Sequence, residues 1–336
     1  PGGPVIWWWA CTPGTDPRAD VIEGLAADTT ARYESFEVRA AALDDAVSAM
    51  CAGTGSLEDA REAWQAAREP WKRSQIVAFG PVLTFPERYG PKLDDWPVDA
   101  DAIEALVASD APVSAADFAA MGTATRGLPV VEWLLYGETP DEPRRCAVLA
   151  GAAGDVRANA SMLADAWRVD WQQRLSSPEL AADDDWDTVQ DVVDEWVNRS
   201  VYTVADLRGL RLGKPLGDDS GGVPQPQLVE SRPSGRSLQD ARDVLQGVRA
   251  AWRGEAGPGL RSLVEDAALA DRVDGLFDGC DARLAEVPEP LATTVVEQPE
   301  IVARAQEALQ ALQITMQLEV AQALSVTLAF SDEDGD

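Results

Sequence analysis

Of the side chains that usually run hydrolytic chemistry near neutral pH, one is missing: the 336-residue chain contains no histidine. Ser-His-Asp and Cys-His arrangements are therefore excluded. So is a histidine-based zinc hydrolase, because neutral imidazole is the usual donor that leaves zinc-bound water acidic enough to react. No phosphate-binding loop or dinucleotide fingerprint occurs. What remains is oxygen chemistry, since carboxylates and tyrosines can hold a hard cation such as calcium or ferric iron. One segment invites that reading, Arg126-Gly127-Leu128-Pro129-Val130-Val131-Glu132. Pro129, two residues after a glycine, suits the first turn of a helix, where its missing N–H costs nothing. Glu132 then stands about one turn into that helix, where the dipole favours its charged form and Arg126 can pair with it. With Arg126 turned into a groove beside the helix N-terminus, the same segment would suit an anion instead. The closing Asp332-Glu333-Asp334-Gly335-Asp336 resembles the opening of a calcium loop, but no bidentate glutamate comes after it, so residues 331–336 read as a solvated acidic tail.

The cysteines are Cys11, Cys51, Cys146 and Cys280, with no C-x-x-C pair to begin a zinc site. Cys51 ends one predicted helix and Cys146 lies early in another. In an oxidising compartment the two could bridge, and two separately buried thiols are the other reading. The apolar run Pro4-Val5-Ile6-Trp7-Trp8-Trp9-Ala10 stops at Cys11 and gives way to a turn-rich stretch, which is how a bacterial lipoprotein signal ends. Residues 1–17 are expected to be a signal remnant and linker with a lipid on Cys11; a frayed terminus with a buried tryptophan cluster is the alternative. No other run of about 18 apolar residues exists to span a membrane. The formal charge of -30 repels nucleic-acid phosphate and anionic lipid, so the folded body has no nucleic-acid partner and reaches a membrane through the anchor alone. Lysine stands only at Lys72, Lys92 and Lys214.

Helical periodicity dominates, and the expected fold class is all-α. Helices are predicted over about 20–50, 56–79, 99–109, 114–121, from 128 onward, 141–175, 186–212, 237–253, 258–285 and 300–328. Residues 80–98 hold too much proline for regular structure and read as a long ordered loop. Ser56 with Asp59, and Ser114 with Asp117, have the spacing of capping boxes. Ser56 to Trp71 aligns without gaps on Ser237 to Trp252, with eight of sixteen positions identical. The match predicts two up-and-down helical bundles, 18–182 and 183–330, related by an approximate internal duplication, with a groove between them.

Arg126-Gly127-Leu128-Pro129-Val130-Val131-Glu132-Trp133-Leu134-Leu135-Tyr136-Gly137 resembles the signature region of the imelysin family, G-x-H-x-x-E followed by an aromatic and two leucines. The Trp64 to Pro81 stretch, the Leu212 to Gly217 run with Ser234, Ser237, Asp240 and Gly247 after it, and the closing Phe330 to Asp336 agree with the same family. The resemblance implies an exported all-α protein of two bundle-like halves, periplasmic or outer-membrane, often lipid-anchored, tied to iron-regulated uptake and its envelope components, and historically classed with metallopeptidases. It implies a candidate site at Arg126, Gly127 and Glu132, with Glu132 as a metal ligand for iron or another oxygen-ligated cation. Pro129 stands where the family has its histidine, and Gln75 where many members have glutamate. Both departures remove a ligand, so the leading expectation is a non-catalytic envelope binding protein for a small ligand or metal ion. A metal-dependent peptidase and a decayed structural or adaptor paralogue are the alternatives.

Overall fold

Residues 16–178 and 186–329 are described by a computed structural model. Cys11, Trp7 to Trp9, the acidic run Asp183-Asp184-Asp185 and residues 331–336 lie outside them. Asp16 opens α1 (Pro17–Cys51): its carboxylate accepts the Arg18 N–H at 3.0 Å, and Pro17 takes the first turn. α2 (Leu57–Arg73) begins on the expected box, the Ser56 hydroxyl accepting from the Asp59 N–H and the Asp59 carboxylate from the Ser56 N–H. It stops earlier than its periodicity suggested. Ser74 turns its hydroxyl back onto the Trp71 carbonyl at 2.7 Å, and the chain leaves the helix carrying Gln75 inward.

Short elements come next, α3 (Tyr89–Leu93), α4 (Ala100–Val107) and α5 (Ala115–Ala119), the last capped by Ser114 and Asp117 as expected. α3 forms inside the supposed loop, because Pro91 falls in its first turn, where a proline is tolerated. α6 (Leu128–Tyr136) starts with Pro129 in its first turn, and α7 (Pro143–Ala166) continues through a π-helical stretch, Trp167–Trp171, into α8 (Gln172–Ser176). The second half contains α9 (Val189–Asp206), a π-helical stretch Leu207–Gly213, α10 (Lys214–Leu216), α11 (Ser237–Arg253), α12 (Ala267–Glu286), α13 (Leu291–Glu297) and α14 (Pro299–Thr315). No strand occurs among the described residues.

α1 packs along α2 and α7, while α12 packs on α14 and α9 on both α11 and α14. One connected apolar core, rather than two, runs from Leu25 and Trp64 through Trp196 to Leu309. The halves meet where α2 lies on α11. At Gly247 a Cβ would come within 2.1 Å of the Arg73 carbonyl, so the close approach requires glycine. These are the two segments matched in sequence, and some of their contacts run in parallel. Arg61 donates to the Leu135 carbonyl and Arg242 to the Leu284 carbonyl, each at 2.9 Å. The Trp71 indole donates to Asp94 and the Trp252 indole to Asp274. Ser237 is no cap, however. It sits inside the first turn of α11 and donates to the Glu230 carbonyl, while Asp240 turns into the interface. The internal duplication therefore stays an expectation, to be tested by whether one rotation superposes both helix pairs.

Candidate functional site

On α2, Trp64, Arg68 and Lys72 recur at the four-residue spacing that stacks side chains on one helix face, so two cations share the buried stripe with a tryptophan. A buried charge needs a partner, and both find theirs at the junction of the halves. Arg68 donates through Nη1 to Asp94 at 2.5 Å, through Nη2 to Glu230 at 2.7 Å and through Nε to Asp240 at 3.0 Å. The Lys72 ammonium donates to Asp94 Oδ2 at 2.8 Å and to Glu230 Oε1. Asp94 Oδ2 also receives the Trp71 indole N–H at 2.8 Å and the Gln75 amide at 3.0 Å. From the second half, Arg211 pairs with Glu230 and donates to Gln75 Oε1 at 2.5 Å. Arg236 lies 2.9 Å from Asp240 and 2.5 Å from Asp243. Arg68, Lys72, Arg211 and Arg236 thus match Asp94, Glu230, Asp240 and Asp243 one for one.

Glu132 stands apart from these ion pairs. It is 1% exposed, reaches across the junction and accepts the Ser234 backbone N–H at 2.9 Å. Burial pushes its pKa up to about 7, against the Ser234 hydrogen bond and the Arg68 charge, which favour the anion. Burial would also raise Asp94, but the Arg68 and Lys72 charges prevail and hold it well below the usual carboxylate range. Burial, reinforced by the like charges of Arg211 and Arg68, works against the Lys72 ammonium, while Asp94 and Asp240 favour it, and its hydrogen bonds to the Asp94 and Glu230 carboxylates are those of the charged form.

Two cavities, of about 260 and 250 Å³, flank this cluster and share Gln75, Asp94, Asp95 and Arg211 as their common wall. The first also reaches Tyr33 and Arg199, the second Trp96 and Lys214. Arg199 and Arg211 stand twelve residues apart, which on a regular helix leaves them roughly 120° out of line. Arg211 lies within the π-helical stretch, whose wider turns lower the rotation per residue and carry Arg211 back toward the side of Arg199, so that both line the first cavity.

Only part of the sequence-derived site assembles. Arg126 does not pair with Glu132 and does not face the groove. It is 4% exposed, bound to Asp155 through Nε at 2.9 Å and Nη2 at 2.5 Å, and to the Ala119 carbonyl at 3.1 Å. Asp155 supplies a bidentate partner inside the first half, which the helix dipole at α6 cannot rival. Gly127 has φ +83°, and a Cβ there would lie 2.6 Å from the Leu93 carbonyl. Its part is to let α6 pass close to the backbone just before Asp94. Among the described residues no group of three acids or cysteines is arranged to hold a metal ion. The carboxylate oxygens that converge at the junction already accept from Arg68, Lys72, Arg211 and Gln75, so this donor set, as folded, does not fit a metal. Cys51 and Cys146 are joined in a disulfide with Cα atoms 5.6 Å apart, tying the end of α1 to the start of α7, and Cys280 is free and buried.

The imelysin family model matches residues 29–317. The chain belongs to the imelysin family. It is 26% identical over 278 residues to iron-regulated protein A of Synechococcus elongatus, covering 79% of this chain and 74% of that protein. Two solved structures share the fold: an iron-regulated protein A precursor from Parabacteroides distasonis (TM-score 0.77, 20% identity) and an imelysin-like protein from Psychrobacter arcticum (TM-score 0.79, 17% identity). Each alignment covers 93% of this chain and 97% of the other. Within this imelysin-family chain the residues that sequence reasoning missed are Arg68, Lys72, Asp94, Arg211 and Glu230, while Asp240 was noted only as a position agreeing with the family pattern. The available signal was Lys72, one of three lysines in an arginine-dominated chain, placed on a tryptophan-bearing helix face.

Proposed function

We propose that this chain is a non-catalytic binding protein of the bacterial cell envelope that holds a small polar ligand between its halves and serves an iron-linked process. The observation that carries the reading is the pair of cavities sharing Gln75, Asp94, Asp95 and Arg211 at the junction. Their walls combine apolar surface with a few convergent polar groups, the usual make-up of a small-ligand site. The π-helical stretch that delivers Arg211 is an irregularity of the kind that often accompanies function. Against a metallopeptidase stand the proline at position 129 and a junction whose acids are neutralised by the chain's own cations. The iron link rests on the names of the relatives. Export is supported by the precursor name of one relative and by the Cys51–Cys146 disulfide, which suits an oxidising compartment. No described helix is long and apolar enough to cross a membrane. Attachment is proposed through a lipid on Cys11, and mass spectrometry of the native N-terminus should find a diacylated cysteine.

Calorimetric titration tests the binding reading, with ferric citrate, citrate alone, calcium and zinc as probes. The chelate or its chelator should bind, and the bare cations should not. Uptake of a bare cation that disappears in Glu132→Gln, or peptide cleavage that a chelator abolishes, would refute it.

A further inference from the structure

Tyr33 stands on α1 with 1% of its surface exposed and lines the first cavity. Its ring is held against Trp167, with centroids 5.5 Å apart. The hydroxyl finds no hydrogen-bond partner of good geometry within the protein. Ser74 stands beside it, but the Ser74 Oγ proton is already given to the Trp71 carbonyl. Burial pushes the Tyr33 phenol above its usual range, so it stays a neutral O–H donor at physiological pH. Buried polar groups are normally paired, and a donor left unpaired at a cavity wall is placed to meet a ligand.

Two arginines of the second half line the same cavity. Arg199, on α9, spends Nε on Glu195 at 2.7 Å and keeps Nη1 and Nη2 for a further partner. Arg211 spends Nη1 on Glu230 and Nη2 on Gln75, and its buried Nε has no partner. Burial works against the Arg211 cation, and an anion beside it would offset that. The acids of this lining are engaged. Asp94 accepts from Arg68, Lys72, Trp71 and Gln75, Asp95 accepts the Thr123 hydroxyl, and Asp206 lies in the field of Arg211. The hydrogen-bonding capacity left in the wall is therefore weighted toward donors.

We propose that the first cavity binds an organic ligand through an anionic oxygen group, a carboxylate or phosphate, that accepts from the Tyr33 hydroxyl on one side and from Arg199 and Arg211 on the other. Guanidinium N–H groups suit such oxygens, and hydrogen bonds to a charged acceptor are the strong ones. Val77, Val82 and Leu83 line the remainder of the cavity and offer an apolar wall to the carbon skeleton. Because Tyr33 comes from α1 and the arginines from the other half, the bound group ties the halves together. This assignment rests on the reading of the junction as a ligand site and narrows it to one cavity and one chemistry.

The test titrates the full chain, Tyr33→Phe and Arg199→Gln with citrate, with glycerol phosphate and with the neutral ester trimethyl citrate. Citrate or glycerol phosphate should bind the wild type, the ester should not, and each substitution should weaken binding about tenfold or more. Ligand-free Tyr33→Phe should melt at the wild-type temperature or above it, since the hydroxyl it removes is unpaired within the fold. A fall of more than about 3 °C would show a hydroxyl bonded within the protein and overturn the proposal. Ester binding as tight as that of citrate would also overturn it, because the charge would then play no part in recognition. Affinity that both substitutions leave unchanged overturns the proposal alone and leaves the junction a ligand site. Binding of neither anion overturns it as well, while the reading of the junction falls only if ferric citrate fails too.

Discussion

Glu132 carries a cost that depends on pH. Its folded pKa of about 7 lies above the ordinary value of 4.5, so the folded state holds a proton that the unfolded chain releases. The stability this contributes is fully present below about pH 4.5 and is lost as pH rises through 7, a swing on the order of 3 kcal/mol for so buried a group. Glu132→Gln retains an oxygen for the Ser234 N–H and has no charge to bury. It is expected to match the wild type near pH 4.5 and to be more stable by about 2–3 kcal/mol at pH 8, as read from urea unfolding across that range. A variant less stable than wild type at pH 8 would show that Glu132 is held as a favourable anion. Asp243, pushed up to about 6 chiefly by burial, titrates in the same window but cancels in the difference between the two proteins. At Gly127, alanine should cost roughly 2–4 kcal/mol, because left-handed backbone and contact with the Leu93 carbonyl act together. A loss below about 1 kcal/mol would mean that the passage beside Asp94 is looser than described. The sequence placed Glu132 and Pro129 on a helix start correctly. It misplaced Arg126, because Asp155 lies 29 residues away on another helix and nothing local announces that pairing.

Helices were the most legible elements, since apolar spacing and the boxes at Ser56 and Ser114 are local properties. The premature end of α2 was not legible, because beyond the turn at Ser74 Gln75 is held by Asp94 and Arg211, in a cluster drawn from both halves. The π-helical stretch at Leu207–Gly213 was hidden for a related reason: the apolar pattern of α9 runs into it without a break. Ser237 shows how a shared sequence can serve different ends, as the same serine-to-aspartate spacing caps α2 but feeds the ion cluster from α11. The Cys51–Cys146 disulfide closes a span of 95 residues, and in the chain-entropy picture such a link is worth roughly 2–5 kcal/mol. Replacing both cysteines with serine should lower the urea midpoint by a corresponding amount and make it indifferent to reductant. An unchanged midpoint would show that α1 and α7 are held by packing alone.

At the scale of the molecule, the two halves share one core and are riveted by charges that neither half could bury alone. Arg68 and Lys72 project from the first half, while Glu230, Asp240 and Arg211 come from the second, so cleft and junction form together. Arg211 is the second-half residue common to both cavities, and it holds Gln75. Arg211→Ala should weaken binding of the ferric citrate probe at least about tenfold, with peptide hydrolysis absent from wild type and variant alike. Composition and pattern made the all-α class legible; the groove between bundles was an expectation drawn from the internal match. The chemistry of the groove was not legible, because its charges come from residues up to 172 positions apart in the chain. The most direct measurement is an iron-edge anomalous difference map from crystals soaked in ferric citrate. The expected result is a peak in the space walled by Gln75, Asp94 and Arg211, with iron held by its chelator. A peak within about 2.5 Å of the Glu132 carboxylate, or no peak in either cavity, would contradict the account.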